Sequence, residues 1–157
     1  MGRLPWNRWH GVMLVYTGFI YSNSLKPSTL SSQESGLLLV KLELMLKALG
    51  WNYMWITEHM VRKTAHFVEY AGLGCILVLA YGIWTAPVPA GMRRAGELAF
   101  LIPFVDETIQ LFVPGRSGQI SDVWLDLCGA VCGMLLMMCV KGWLQRRRLR
   151  KGQVEIR

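Results

Sequence analysis

The side chains of this sequence whose types and spacing can do chemistry are His66, Glu69, Glu107, Gln110, Asp122 and Asp126, with Lys63 and Arg116 as cations. Lys63, His66 and Glu69 step by three, and His66 and Tyr70 are four apart. Glu107 and Gln110 are three apart, Asp122 and Asp126 four. Helical residues three or four apart share a face, so each set can point into one cavity. A histidine among carboxylates suits a general base, acid or nucleophile, with Glu69 or Glu107 to orient the ring. Asp122 and Asp126 suit activation of a hydroxyl or binding of a divalent cation. Lys63 and Arg116 suit a phosphate, Arg116 through its bidentate fork. No ligand spacing as specific as HExxH is present, so a metal stays open.

Each group also has a plainer reading. Lys63, beside Arg62, can snorkel to a headgroup layer. A histidine in a helix is by itself a hydrogen-bonded structural residue, and Glu69 nearby is what tips His66 towards chemistry. Asp106 adjoins Glu107 but faces another way, and reads as structural. Asp122 follows Ser121 at a helix start and fits an N-cap. Arg116 in PGRSG fits an ordinary turn, whereas Asp126 is deeper and harder to dismiss. The plain reading of the whole set is a buried salt-bridge network.

The elements that must position these residues are membrane helices. Of 157 residues, 53% are hydrophobic and only 17% charged, below the quarter usual in soluble domains. Charge is absent from long stretches and clumped between them, as expected where a bilayer core takes about 20 apolar residues per helix. The net charge of +7 therefore reports topology rather than nucleic-acid binding. Cys75, Cys128, Cys132 and Cys139 lie in apolar stretches without a CxxC pair, and read as small buried hydrophobes.

A first span is predicted over about 9–25, after Arg3 and Arg8. A cleaved signal peptide is the alternative there. Pro27 breaks it. Ser31 and Glu34 have capping-box spacing, and the following apolar, charge-interrupted helix runs to a stop at Gly50. Glu43 and Lys47 can pair along it. It reads as an interfacial amphipathic helix, followed by headgroup-layer aromatics Trp51, Tyr53 and Trp55. A second span is expected over about 63–84, then a turn at Pro87 and Pro89. The third covers about 95–113, with Pro103 as a kink. The fourth covers about 122–140, with Gly129 and Gly133 as a GxxxG for close helix contact. The fold class is thus all-α: a polytopic membrane bundle of about four transmembrane helices plus one interfacial helix. It is one domain over 1–157, with a core at about 9–143 and a basic cytoplasmic tail at 144–157.

Four spans place both termini on one side. That side holds eleven of the seventeen Lys and Arg, so the positive-inside rule makes it cytoplasmic. His66, Glu69 and Lys63 then lie near the outer end of one span. Asp106, Glu107 and Gln110 lie near the outer end of the next, and Asp122 and Asp126 near that of the last. At about 1.5 Å per residue, all lie within roughly 15 Å of the outer boundary. Intramembrane ionisable residues are costly and mark function, so this convergence is the main functional signal.

The segments KTAHFVEYAGLG and DETIQLFVPGRSGQISDVWLDLCGAVCG, after IYSNSLKPSTLSSQESG, resemble the pattern of VanZ-like membrane proteins over about 20–134. The combination HFxEY, ExxQxFxPxR and DxxxDxxGxxxG is specific. The resemblance implies a bacterial inner-membrane protein, related in some comparisons to membrane enzymes acting on lipid headgroups. It makes His66, Glu69, Glu107, Gln110, Arg116, Asp122 and Asp126 the matched site positions. Three functions are weighed. One is headgroup transfer or hydrolysis on a phosphate-linked lipid or cell-envelope precursor. The second is non-catalytic binding of such a lipid by an accessory protein, and the third a purely structural ion-pair bundle. Transport is disfavoured, since four spans leave little room for a path. The expected partner is a membrane lipid or lipid-linked precursor, and the oligomeric state is not read.

Overall fold

The structure, a computed structural model, describes residues 6–83 and 89–154. It contains five helices: α1 (Arg8–Ser24), α2 (Ser28–Ala48), α3 (Glu58–Tyr81), α4 (Pro89–Gln110) and α5 (Ile120–Val154). No strand occurs among the described residues, as the apolar, charge-clumped pattern predicts.

Local chemistry sets the helix ends. Asn7 caps α1: its side chain accepts from Trp9 N at 2.9 Å, and His10 Nδ1 accepts from Asn7 N at 3.2 Å. Thr57 caps α3 by accepting from Met60 N. The predicted stop at Gly50 is a Schellman closure. Gly50 takes φ +72°, its N–H reaches Lys47 O, and Trp51 N–H reaches Leu46 O. Other expectations are corrected. Ser31 and Glu34 form no capping box, because α2 begins at Ser28 with Pro27 at its cap. Glu34 instead pairs with Lys26 at 2.8 Å. Asp122 is not an N-cap but lies in the first turn of α5, which begins at Ile120. The apolar residues of α2 are spread around the helix rather than gathered on one face, so it is not amphipathic. Of its side chains only Ser35 is buried. Pro89 opens α4 instead of ending a turn, while Pro87 and Trp84 lie outside the described residues. Pro103 sits buried within an unbroken α4.

The helices other than α2 alternate in direction. Asn7 and His10 of α1 meet Ala80 and Tyr81 of α3, while Asn23 meets Glu69, so these two run antiparallel. Along α3 and α5, contacts pair Lys63 with Asp122, His66 with Asp126, Phe67 with Gly129 and Ala71 with Gly133. Both numbers rise together, so these two are parallel, and α4 must return between them.

The α3–α5 contact is the most extensive in the bundle, and small residues make it close. A Cβ on Gly129 or Gly133 would run into the carbonyls of Phe67 and Ala71, and one on Gly74 into Ala130 O. The predicted GxxxG is thus used within the chain. The core beside it is Tyr70, Leu73, Leu77, Val78 and Ala130, with Ile20, Ala95, Ala99 and Ile102 from α1 and α4.

The outward faces are apolar too. Val15, Phe19, Phe100, Phe104, Leu135 and Leu136 are all more than half or nearly half exposed. Hydrophobic residues on both the inside and the outside suit a lipid solvent. Two helices, over Glu58–Tyr81 and Ile120–Leu149, are long and apolar enough to cross a membrane. At 17 residues α1 is shorter, and α4 carries Arg93, Arg94, Glu97, Asp106 and Glu107.

Candidate functional site

The site lies at the end of the bundle where α1 finishes, α3 and α5 begin, and α4 runs into the 111–119 loop. Close α3–α5 packing sets its register. One helical turn from the Gly129 contact, the short backbone distance brings His66 Nδ1 to 3.7 Å from Asp126 Oδ1. A turn further out, Lys63 Nζ pairs with Asp122 Oδ1. Ser121 Oγ also donates to Asp122, at 3.1 Å.

Two carboxylates lie completely buried behind His66. Neither oxygen of Asp126 has a hydrogen-bond partner among the described residues. Asp106 Oδ2 accepts from Gln110 Nε2 at 3.3 Å, and its Oδ1 has none. The hydroxyl of Tyr70, also fully buried, faces Asp106 without closing a hydrogen bond of ordinary geometry. One ligand-capable atom from each of His66, Asp106 and Asp126 lies within 4.8 Å of the other two.

The remaining candidates take different places from those the sequence suggests. The carboxylate nearest the His66 ring is Asp126; Glu69 and Glu107 are engaged elsewhere. Glu69 accepts from Asn23 Nδ2 at 3.0 Å, which ties α3 to the end of α1. Glu107 accepts from Gln110 Nε2 and from Gln119 N, both at 3.0 Å, and so fastens the far end of the loop to α4. Asp106, read as structural, lies in the central cluster with His66 and Asp126. The 100° step from Glu107 turns it into the interior, where His66 and Asp126 lie. Its four-residue spacing from Gln110 was the available signal. Asn23 and Ser24 were missed as well, though they form a polar end to an apolar helix. Gln110 Nε2 lies 3.5 Å from Ser24 Oγ.

The loop aims Arg116 inward. Val113 O accepts from Arg116 N at 3.1 Å, with Pro114 and then Gly115 between them, and Gly115 has φ +75°. This is the pattern of a type II turn, in which the third residue needs a positive φ. Gly115 also packs onto the Ser28 side chain at the start of α2. Arg116 then donates to Asn23 O at 3.4 Å. Burial pulls the guanidinium down from its ordinary pKa, while Asp106 pulls it back up.

Three neighbouring spaces adjoin these groups. A polar cavity of about 160 Å³ is lined by Lys63, His66, Arg116, Asp122 and Asp126, with Arg62 and His59. Arg62, His66 and Arg116 also line a second cavity, of about 220 Å³, with Asn23, Glu34 and Glu69. Asn23, Leu38, Val61, Ala65 and Glu69 in turn border a groove of about 670 Å³ between α1, α2 and α3, walled by Tyr16, Phe19, Trp55, Met60 and Val68. Polar and apolar spaces thus lie side by side, sharing wall residues, from the charged centre to the trough. Chemically, the arrangement offers a base with a buried acid behind it and three cations around it.

No curated protein and no solved structure matches the chain. A family model described as VanZ/LLP1 matches residues 9–141, which takes in nearly all of α1, then α2 to α4 and the part of α5 that carries Asp122, Asp126, Gly129 and Gly133. The chain belongs to the VanZ/LLP1 family.

Proposed function

We propose that this protein acts on a phosphate-linked lipid or cell-envelope precursor at the outer face of a bacterial inner membrane, by headgroup transfer or hydrolysis. In this reading α1, α3, α4 and α5 all cross the membrane and both termini are cytoplasmic. The alternating directions of the four helices and the excess of Lys and Arg at the cytoplasmic ends support it. One observation carries the functional reading: the polar cavity shares Arg62, His66 and Arg116 with a second cavity, which in turn shares Asn23 and Glu69 with an apolar groove. That sequence of surfaces fits an amphiphile, with its chain along Phe19, Trp55 and Val68 and its phosphate against the guanidinium groups.

His66 is the residue assigned to proton transfer, with Asp126 holding its ring. Lys63, paired with Asp122, can exchange that partner for a substrate phosphate. In a second reading the same pocket binds a lipid without turning it over.

The test is incubation of the purified chain, in nanodiscs, with a phospholipid or a polyprenyl phosphate, and mass spectrometry of the products. His66→Ala should lower turnover about 10²–10⁴-fold, the usual worth of a general acid–base group. Undiminished turnover in that variant sinks the role given to His66. Bound lipid with no product over long incubation selects the accessory-binding reading.

A further inference from the structure

Asp106 and Asp126 are both completely buried, and no Lys or Arg among the described residues makes an ion pair with either. Lys63 pairs with Asp122, and Arg116, though it feels the charge of Asp106, donates to Asn23 O and makes no ion pair with either carboxylate. Two buried carboxylates side by side need a positive charge or retained protons. His66 supplies at most one charge, from 3.7 Å. Three of the four carboxylate oxygens have no donor at ordinary hydrogen-bond geometry, although the Ser24 and Tyr70 hydroxyls lie towards Asp106. The Tyr70 hydroxyl, on a fully buried side chain, faces Asp106 but closes no hydrogen bond of ordinary geometry with it.

We infer that His66, Asp106 and Asp126 form a binding site for one divalent transition-metal ion, with Tyr70 beside it. Their ligand atoms already lie within 4.8 Å of one another. Tetrahedral donors at about 2.0–2.2 Å from a common ion stand roughly 3.4 Å apart, so side-chain rotations that draw the three groups in by about an ångström complete the site. One imidazole with two carboxylates suits Zn²⁺ or Mn²⁺, whereas Ca²⁺ asks for six to eight oxygens. The ion neutralises the buried pair, and the polar cavity, lined by His66 and Asp126, is its way in and leaves room for a further ligand on its open side. Asp122, which the sequence pairs with Asp126 for a cation, is left out by its pairing with Lys63. The inference concerns the same centre as the proposed function but is read without any lipid; an imidazole that ligates the ion does not also serve as the base, so ion content and turnover report on the two roles of His66 separately.

The experiment uses the full chain in detergent, stripped with a chelator and then given Zn²⁺ or Mn²⁺ alone. Ion content is measured by mass spectrometry after desalting, and thermal unfolding is followed by tryptophan fluorescence. One ion per chain and a raised Tm are expected. Asp106→Asn and Asp126→Asn should each weaken binding more than about a hundredfold, since outer partners of ligands alone are worth 10–100-fold. Asp122→Asn should bind as the parent does. Because an Asn relieves the buried charge, both Asp variants should fold without metal; if either does not, His66→Gln takes its place. No retained ion and no Tm shift in the parent overturns the site, and so does binding that survives in the Asp106, Asp126 and His66 variants alike.

Discussion

At the scale of single residues, the position of a carboxylate on its helix decides its work. Asp126 lies one turn below Asp122, deep enough to meet His66, while Asp122 stays near the mouth with Lys63. Asp106 and Glu107 are neighbours in sequence with different tasks: one joins the buried cluster and the other clamps the loop. Glu107→Ala leaves the N–H of Gln119 without its acceptor and takes one from Gln110. Hydrogen bonds to a charged group contribute about 1.5–3 kcal/mol, so a loss of that order is expected in detergent unfolding titrations. Thr108→Ala, on the exposed side of the same helix, should stay within about 0.5 kcal/mol of the parent. Equal stability of both variants would show that the loop is held by something other than Glu107.

At the scale of elements, α3 and α5 form the frame on which the site is registered. Their backbones approach closely because Gly74, Gly129 and Gly133 present no side chain to the facing carbonyls. Gly133→Leu forces these helices apart. Overpacking of this kind costs about 1–3 kcal/mol, and it also displaces Asp126 from His66, two turns away along the same seam. A lowered Tm together with reduced turnover is the expected pair of results. Gly142→Leu is the matched control, since a Cβ there meets nothing within 4 Å, and it should leave both values unchanged. The segment around Gly115 is the second positioning element. Its positive φ and its contact with Ser28 let a short turn bring Arg116 back over the end of α1.

At the scale of the whole molecule, the polar end of the bundle must face one side of the membrane. In the proposed topology Ser117 lies outside and Gln145 inside. In a chain with its four cysteines replaced by Ala or Ser, a membrane-impermeant thiol reagent applied to intact cells should label Ser117→Cys. Gln145→Cys should be labelled only after the cells are opened. Labelling of Gln145→Cys in intact cells would invert the topology and move the site to the cytoplasmic face. The last helix continues to Val154, well past the end expected at about 140, whereas the number of helices and their shared polar end were legible in the sequence. Hydrophobic runs, Pro27, Gly50 and the clumped cations carry that information locally. Element ends such as Ser28 and Ile120 were not, because capping signals at Ser31 and Asp122 compete with equally good signals nearby.

By itself the sequence determined that this chain is apolar, helical and membrane-suited, and which polar residues gather at one level. Spacing along a helix fixes depth and face relative to near neighbours in the chain, and needs no knowledge of the other helices. Only the tertiary structure decided the partners. Asp126 rather than Glu69 or Glu107 stands behind His66, and Asp106 joins them. Such pairings depend on the rotation and translation of α3, α4 and α5 against one another, which the glycine seam sets. Residues 40 to 60 apart in sequence meet only once that packing is complete, and no local pattern encodes the angle at which each helix presents its face.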